Sequence, residues 1–474
     1  MTPLRFGTSG WRAVLGEEFT VANVRLVCRA IAEHVLETAE AGSPEVVVGY
    51  DTRFLSERFA RVAADTLADG GLRPLLCDAA TPTPAVAFHV LRLGLAGAVT
   101  ITASHNPPEY NGVKFTPAWG GPALPETTRA IEVRIDAVAR RGTEAGPHDP
   151  AARPDRLAPR LFDARPDYLA GLSRLVDLDA IRRRRLRVVV DPLYGAARGY
   201  LDLALERAGA AVTAIHNVRD PYFGGRRPDP DAEGLRDLSA AVGHNGAALG
   251  LATDGDADRF GVVDEEGTFV APNTVLGVLL DYLATTREWR GGVARSVATT
   301  HLIDAVAAEH GLTVHETPVG FKYIGARLAD GSAIFGGEES AGLSITGHVP
   351  DKDGVLACLL AAEMMARTGE GIRQRTEALF RRVGAYHSTR VDLTTTMSME
   401  RRVAAILADP PARLAGTVVD RVVRLDGCKL VLADGSWLLL RPSGTEPLVR
   451  CYAEADSPER LAEVLAAGRN LLGA

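Results

Sequence analysis

The sequence has few cysteines, no long apolar run and no excess of basic residues. Five cysteines in 474 residues, none of them in a C-x-x-C pair, exclude a disulfide framework and a zinc ribbon. The longest apolar stretch, residues 355–366, is too short to span a bilayer and contains Glu363. The first residues lack the apolar segment of a secretory signal. We therefore expect a cytoplasmic protein without a membrane partner.

The charge balance is acidic. Lys and Arg total 53 against 60 Asp and Glu, which gives a net charge of -7. A protein that coats nucleic acid needs surplus cations to neutralise phosphates, so we expect no nucleic-acid partner. A local arginine cluster can still hold a small anionic substrate. The length corresponds to about three domains at roughly 150 residues each, and a hydrophobic fraction of 46% is ordinary for a packed protein.

Short β-branched runs alternate with amphipathic helical patterns over most of the chain. Residues 45–51 predict a strand that is buried on both faces, and a helical period precedes it over residues 20–39. The same rhythm later predicts strands at residues 296–300 and 332–336. Such alternation of strand and helix predicts three α/β units with mostly parallel sheets.

Towards the C-terminus the pattern changes to short alternating strands. Asp434-Gly435 indicates a hairpin, and Ser457 followed by Pro458 indicates the start of a terminal helix. Residues 143–159 contain four prolines and form the predicted linker. We predict four domains, the last of α+β type, at residues 1–150, 151–262, 263–380 and 381–474.

The first motif, T-A-S-H-N-P at residues 102–107, lies at the end of a predicted strand. It presents the hydroxyl of Ser104 beside the imidazole of His105 on a loop that we expect to be exposed, and Lys114 follows downstream. A serine nucleophile with a histidine partner is one interpretation. The G-x-S-x-G elbow of hydrolases is absent, and an Asn-Pro turn without function explains the same residues.

The second motif is a run of alternating carboxylates, Asp254, Asp256 and Asp258, followed by Arg259. Three carboxylates so close together repel one another, and a divalent cation relieves that repulsion. A ligand set of oxygens alone suits Mg²⁺. A calcium EF-hand is disfavoured because Arg259 stands where that loop needs glycine. A solvated acidic turn stays open as the alternative.

The third motif, G-G-E-E-S-A-G at residues 336–342, follows another predicted strand. Glu338 and Ser340 are flanked by glycines, and their side chains are suited to hydrogen-bonding neighbouring sugar hydroxyls. A glycine-rich turn between a strand and the next element is the equally simple alternative.

The fourth motif, R-P-S-G-T-E-P at residues 441–447, is followed by Arg450. Two guanidinium groups, two hydroxyls and a glycine that permits close backbone approach make a phosphate cradle. The segment matches neither the Walker P-loop nor a dinucleotide-binding fingerprint. A plain turn remains the alternative.

These four motifs in this order resemble the α-D-phosphohexomutase superfamily, which includes phosphoglucomutases and phosphomannomutases. The resemblance extends from F-G-T-S-G-W-R-A near the start to R-P-S-G-T-E-P-L-V-R near the end. It implies four domains around a central cleft, of which three are α/β domains with mixed sheets and the last is a C-terminal α+β domain. It also implies an enzyme that interconverts hexose 1-phosphate and hexose 6-phosphate as a monomer or homodimer.

The resemblance further implies a role for each residue of the first two motifs. Ser104 would carry a phosphoryl group and transfer it by way of a hexose 1,6-bisphosphate, which is also the expected activator. Mg²⁺ would be held by the Ser104 phosphate and by three carboxylates, those of Asp254, Asp256 and Asp258. Lys114 is the implied general acid/base at the sugar hydroxyl, with His105 close by. Arg12 would approach the phosphoserine, and Arg259 would add a guanidinium at the transferred phosphoryl group.

The remaining implied roles concern the substrate. The residues that would bind the sugar or its second phosphate are Glu338, Ser340, Lys352, Arg441, Ser443, Gly444, Thr445 and Arg450. The third motif lacks the Gln that is usual in glucosamine-phosphate mutases, so glucose and mannose are the expected sugars. Val319 replaces the Thr of many phosphoglucomutases, which argues against strict glucose specificity. A phosphoglucosamine mutase, a sugar-bisphosphate synthase or phosphatase, and a non-catalytic sugar-phosphate-binding relative stay open.

Overall fold

The computed structural model describes residues 4–7, 10–38, 44–141, 158–443 and 448–473. Residues 143–157 of the predicted linker lie outside this part of the chain. The chain divides into two compact units. The first unit consists of Met1–Val270, Gly325–Gly331 and Ser340–Gly371, and the second of Ala271–Ile324, Ser332–Glu339 and Ile372–Ala474.

The first sheet of the first unit has the strand order β1-β5-β4-β2-β3-β6. Its strands are β1 (Trp11–Val14), β2 (Glu45–Tyr50), β3 (Arg73–Cys77), β4 (Gly97–Ile101), β5 (Tyr110–Pro117) and β6 (Arg160–Phe162). The helices are α1 (Val21–Thr38), α2 (Ser56–Asp69), α3 (Thr83–Leu93) and α4 (Pro125–Arg140). β2 pairs in parallel with β3 and β4, whereas β5 pairs antiparallel with β1 and β4. Val46, Val47 and Val48 of β2 are fully buried, as the β-branched run predicts.

The second sheet of the first unit has the order β11-β10-β9-β7-β8. Its strands are β7 (Arg187–Asp191), β8 (Ala211–Ala214), β9 (Leu249–Thr253), β10 (Phe260–Val263) and β11 (Phe269–Val270). Accompanying elements are α5 (Arg165–Leu172), α6 (Leu178–Arg184), α7 (Leu201–Arg207), α8 (Arg236–Asn245), β15 (Gly342–Ile345) and α12 (Gly354–Thr368). β9 is parallel to β7 and antiparallel to β10, so this sheet is also mixed.

The second unit contains a parallel sheet and an antiparallel sheet. In the parallel sheet, β12 (Gly292–Ser296) lies between β13 (Thr313–Thr317) and β14 (Phe335–Glu338). The antiparallel sheet has the order β16-β21-β20-β19-β18-β17, with strands at His387–Thr394, Leu448–Ala455, Trp437–Pro442, Cys428–Leu432, Thr417–Val423 and Arg413–Leu414 respectively. The helices are α9 (Pro272–Thr286), α10 (Leu302–Glu309), α13 (Ile372–Val383), α14 (Met397–Ala408) and α15 (Pro458–Leu472), while α11 (Phe321–Ala329) has residues in both units.

The α/β class with mixed sheets and an α+β C-terminal part is confirmed. The sequence pattern alone predicted mostly parallel sheets, and it missed the antiparallel strand β5, which follows a motif that was interpreted as a loop. The hairpin at Asp434-Gly435 and the Ser457 cap of α15 are confirmed. None of the described helices is both long and apolar enough to cross a membrane. The four domain boundaries stay predictions.

Two strand predictions are misplaced. The strand predicted at residues 296–300 ends at Ser296, because a turn starts there in which the amide of Thr299 donates to the carbonyl of Ser296 at 3.0 Å. The strand predicted at residues 332–336 begins only at Phe335 and includes the first two glycines of the third motif. A Cβ at position 337 would lie 2.8 Å from the side chain of Leu276. The strand therefore packs this closely against Leu276 only with glycine at that position.

The second unit buries a lysine beneath its C-terminal sheet. Nζ of Lys429 donates to the carbonyl oxygen of Val297 at 2.8 Å and lies 2.9 Å from Nε2 of His301. It also lies 3.9 Å from the ring centroid of Trp437. Burial, aided by the charge of Arg295, lowers the pKa of Lys429 to about 7.

The variant Lys429→Met tests this burial. A lysine in the unfolded chain has a pKa of about 10.4. The unfolded state therefore binds more protons than the folded state between about pH 7 and about pH 10, and the stability of the wild type rises with pH in that window. The side chain of Met does not titrate. In thermal melts, the Tm of the wild type should therefore rise relative to the Tm of the variant as the pH increases. A difference in Tm that stays constant across this window would contradict the lowered pKa.

Candidate active site

Ser104 lies in a tight loop that follows β4. Its φ of 53° is in the left-handed region, which is costly for a residue with a Cβ, and its amide donates to Oγ1 of Thr102 at 2.8 Å. The side chain is buried, so the exposed hydroxyl expected from the sequence is wrong. Its Oγ donates to Oδ2 of Asp254 at 2.6 Å and lies 3.3 Å from Nδ1 of His105.

A buried arginine that the sequence analysis missed shapes this loop. The guanidinium of Arg53 is fully buried, and its Nε donates to Oδ2 of Asp51 at 3.1 Å. Its two terminal nitrogens donate at 2.6 to 3.0 Å to the backbone carbonyl oxygens of Ser104, Asn106, Pro107 and Tyr110. The planar fork of arginine donors satisfies four carbonyls at once, which stabilises the strained backbone of the loop. The sequence did contain a signal for this role. Asp51 and Arg53 directly follow the buried strand β2, which pairs in parallel with β4.

The variant Arg53→Lys should destabilise the first unit. An ammonium cannot reproduce the planar fork, and each buried carbonyl left without a donor costs about 1–3 kcal/mol. We expect the free energy of unfolding to fall by about 2–4 kcal/mol, measured by chemical denaturation. The matched control is Arg58→Lys on the exposed side of α2, which should leave the stability unchanged. Equal stability of the two variants would contradict the role given to Arg53.

The carboxylate triplet occupies the turn between β9 and β10. Asp254, Asp256 and Asp258 are all buried, and one ligand oxygen from each lies within 4.8 Å of the others. Burial and the two neighbouring carboxylates raise the pKa of Asp254 well above its usual range. The Oδ1 atoms of Asp256 and Asp258 are buried and accept no hydrogen bond from the described residues. Clustered, buried and unsatisfied carboxylate oxygens fit a divalent cation such as Mg²⁺.

Two ammonium groups contact the triplet. β5 pairs with β4, and this places Lys114 close to the Ser104 loop, where its Nζ donates to Oδ2 of Asp256 at 2.5 Å and of Asp258 at 2.9 Å. Nζ of Lys352 lies 3.1 Å from Oδ2 of Asp258. Burial acts to lower the pKa of Lys114, but the two carboxylates outweigh it and the pKa is raised. Lys114 is therefore an ammonium at neutral pH and a hydrogen-bond donor.

Two arginines and a histidine of the predicted set also lie in the first unit. Arg12 on β1 donates to Oδ1 of Asn106 at 2.7 Å, and the amide of Arg259 donates to Oδ1 of Asp254 at 3.1 Å. Burial and the charges of these two guanidiniums lower the pKa of His105 well below its usual value. The imidazole is therefore neutral at neutral pH, with one ring nitrogen free of a proton.

In the second unit, the first residues of the third motif are held by their neighbours. Glu338 ends β14 and is buried. The next carboxylate, that of Glu339, accepts from the hydroxyls of Ser296 and Thr299 at 2.9 and 3.1 Å. Glu339 thereby anchors the motif to the turn after β12. Ser340, the other predicted sugar ligand, belongs to the first unit.

Two predicted phosphate ligands face each other in the antiparallel sheet of the second unit. Arg441 on β20 and Arg450 on β21 are directly opposed in the strand register. Like charges in such pairs are destabilising. Nε of Arg441 donates to Oδ2 of Asp426 at 2.9 Å, and Nε of Arg450 lies 4.0 Å from Oδ2 of Asp392. Two adjacent guanidiniums are suited to a doubly charged phosphate.

The loop between these two strands is described only in part. The amide of Ser443 donates to the carbonyl oxygen of Leu448 at 2.8 Å, which closes the base of the loop. Gly444 and Thr445, two further predicted phosphate ligands, lie outside the described residues.

Comparison with protein families accounts for most of the chain. Models of the phosphoglucomutase/phosphomannomutase α/β/α domains I, II and III match residues 3–141, 166–267 and 271–383, and the model of the C-terminal domain matches residues 391–470. The chain belongs to the phosphoglucomutase/phosphomannomutase family. The resemblance to the α-D-phosphohexomutase superfamily is thereby confirmed.

Individual relatives are similar over their full lengths. A phosphoglucomutase/phosphomannomutase of Thermococcus kodakarensis is 32% identical, with 98% of both chains covered. A phosphoglucosamine mutase of Acidothermus cellulolyticus is 33% identical, with 98% of this chain and 96% of that protein covered. The crystal structure of a candidate phosphomannomutase from Thermus thermophilus is 35% identical with a TM-score of 0.85, covering 100% of this chain and 99% of that one. The names of these relatives agree on a mutase and differ in the sugar.

Proposed function

We propose that the protein interconverts hexose 1-phosphate and hexose 6-phosphate through a phosphoserine at Ser104 and a hexose 1,6-bisphosphate intermediate. The observation that carries this proposal is the 2.6 Å contact between Oγ of Ser104 and a carboxylate of the buried triplet. A hydroxyl nucleophile beside three metal-binding carboxylates and two ammonium groups is suited to phosphoryl transfer, which depends on charge neutralisation and positioning. Membership of a mutase family supports the same reaction.

The cation proposed at the triplet is Mg²⁺. The ligands would be Asp254, Asp256, Asp258 and an oxygen of the phosphoryl group on Ser104. When bound, such a cation neutralises charge on the phosphoryl group. Buried carboxylate oxygens that accept no hydrogen bond from the described residues support this assignment.

The reacting atoms need a proton acceptor and cationic donors, and the site offers both. In the forward step a substrate hydroxyl oxygen bonds to phosphorus while the bond between phosphorus and Oγ of Ser104 breaks. The substrate hydroxyl loses its proton in this step and Oγ of Ser104 takes one up, and the neutral imidazole of His105, 3.3 Å from that Oγ, can relay this proton. We propose that the ammonium of Lys114 and the guanidiniums of Arg12 and Arg259 stabilise the charge on the transferred group.

The sugar proposed is glucose or mannose. Glu338 and Ser340 would bind the hydroxyls at C3 and C4, which these two sugars share, so a site that reads those positions discriminates poorly at C2. The other proposed ligands, for the sugar or its second phosphate, are Lys352, Arg441, Ser443, Gly444, Thr445 and Arg450. A phosphoglucosamine mutase is among the relatives, so glucosamine phosphate is the alternative substrate to test.

Turnover of glucose 1-phosphate with catalytic glucose 1,6-bisphosphate tests the reaction. Phosphorus NMR should show glucose 6-phosphate forming without release of inorganic phosphate, and Ser104→Ala should lose this turnover. The variant loses one buried hydrogen bond, which costs about 1 kcal/mol of stability, so it should remain folded. Ser173→Ala, an exposed serine, is the matched control. Normal turnover by Ser104→Ala would contradict the mechanism, and release of inorganic phosphate would favour a phosphatase.

The same assay compares sugars. Turnover of mannose 1-phosphate should lie within about tenfold of glucose 1-phosphate, because the hydroxyls that are read are common to both. Glucosamine 1-phosphate should be slower. Faster turnover of glucosamine 1-phosphate would overturn the sugar assignment and leave the phosphoserine mechanism intact.

A further inference from the structure

Asp426 lies in the turn between β18 and β19 and bonds to two distant parts of the second unit. Its Oδ2 accepts from Nε of Arg441 at 2.9 Å and from the amide of Val319 at 3.0 Å. Val319 belongs to the segment T-P-V-G-F-K, 107 residues earlier in the sequence than Asp426. A single carboxylate oxygen thus joins a proposed phosphate-binding strand to the loop that follows β13.

The backbone next to Asp426 makes this contact a fixed feature of the turn. Gly427 has a φ of 89°, and a Cβ there would lie 2.5 Å from the carbonyl oxygen of Leu440 and 3.1 Å from Cα of Arg441. Glycine therefore lets the turn lie directly against β20. This close approach of the turn to β20 brings the carboxylate of Asp426 next to the guanidinium of Arg441.

Apolar packing holds the other end of the link. The side chain of Val319 packs against a buried cluster that the parallel sheet region and the antiparallel sheet build together. The members of that cluster are Val297, Ala298, Val431, Trp437, Leu439 and Tyr452. The loop that contains Val319 is therefore fixed to the antiparallel sheet by a hydrogen bond on its backbone and by burial of its side chain.

The bond from Asp426 also determines how Arg441 presents its charge. Only Nε of this guanidinium is engaged, and its two terminal nitrogens make no hydrogen bond to any residue in the described part of the chain. The neighbouring charge of Arg450 repels the guanidinium, and a carboxylate at Nε opposes that repulsion. Two terminal nitrogens on a guanidinium of fixed orientation suit bidentate binding of a phosphate.

We propose that Asp426 is a positioning residue that holds Arg441 for phosphate binding and ties it to the loop at residues 317–322. The proposal rests on the function proposed above. Binding of a sugar phosphate by Arg441 is thereby coupled to the position of that loop, although Asp426 itself does not touch the substrate.

The variant Asp426→Ala tests the positioning role. We expect the KM for glucose 1-phosphate and for glucose 6-phosphate to rise about tenfold, with kcat changed less, because a charged hydrogen bond that orients a ground-state contact is lost. Asp426→Asn keeps an acceptor for the amide of Val319 and loses the ion pair, so its effect should be intermediate. The matched control is Asp420→Ala, an exposed residue of the same sheet, which should leave KM unchanged.

A double-mutant cycle with Arg441→Ala separates positioning from general stability. If Asp426 acts through Arg441, its removal should raise KM in the wild-type background and have little further effect in the Arg441→Ala background. Additive effects on KM, or a lowered Tm with an unchanged KM, would overturn the proposal.

Calorimetric titration of the variants with glucose 6-phosphate provides a readout that needs no turnover. The dissociation constant should rise about tenfold in Asp426→Ala and stay unchanged in Asp420→Ala. A wild type that binds glucose 6-phosphate but fails to interconvert hexose phosphates would overturn the proposed function alone. Unchanged binding by Asp426→Ala in an active enzyme would overturn the positioning role alone.

Discussion

The hydrogen bond from Ser104 to Asp254 is the contact on which the candidate site depends. Ser104 follows β4 of one sheet, and Asp254 follows β9 of the other, so the bond joins the carboxyl ends of two strands that are 150 residues apart in sequence. Loops at the carboxyl ends of such strands are where α/β sheets commonly bind ligands. Ser104 and the carboxylate triplet are adjacent because the first unit packs these two edges together.

This arrangement concentrates like charges, and the surrounding residues compensate for them. Burying three carboxylates is costly unless each is paired or binds a cation. Lys114 contacts two of them and Lys352 contacts one, while Asp254, which has neither, has a raised pKa because of burial and its neighbours. The same two carboxylates keep Lys114 protonated. The charges of the site therefore determine one another, and no single residue sets its own protonation state.

The sequence pointed to the candidate reactive groups but not to the residues that hold them in position. Ser104, Lys114 and the triplet could be found because their residue types are unusual at the ends of strands. Arg53, Glu339 and Asp426 were missed, because nothing in the sequence shows which distant groups a charged side chain will contact in the folded chain. The strand at residues 296–300 was misplaced for a related reason, since hydroxyl residues fit both a strand and the turn that ends β12. Periodicity reports burial, whereas hydrogen bonds between distant segments depend on the tertiary structure.

The central claim is that the phosphoryl group passes through Ser104. Incubation of the protein with glucose 1,6-bisphosphate carrying a labelled phosphoryl group, followed by peptide mapping, measures this directly. We expect label on the peptide that contains Ser104, and release of that label to added glucose 1-phosphate or glucose 6-phosphate. Label on a different residue, or turnover by a protein that never acquires label, would contradict it.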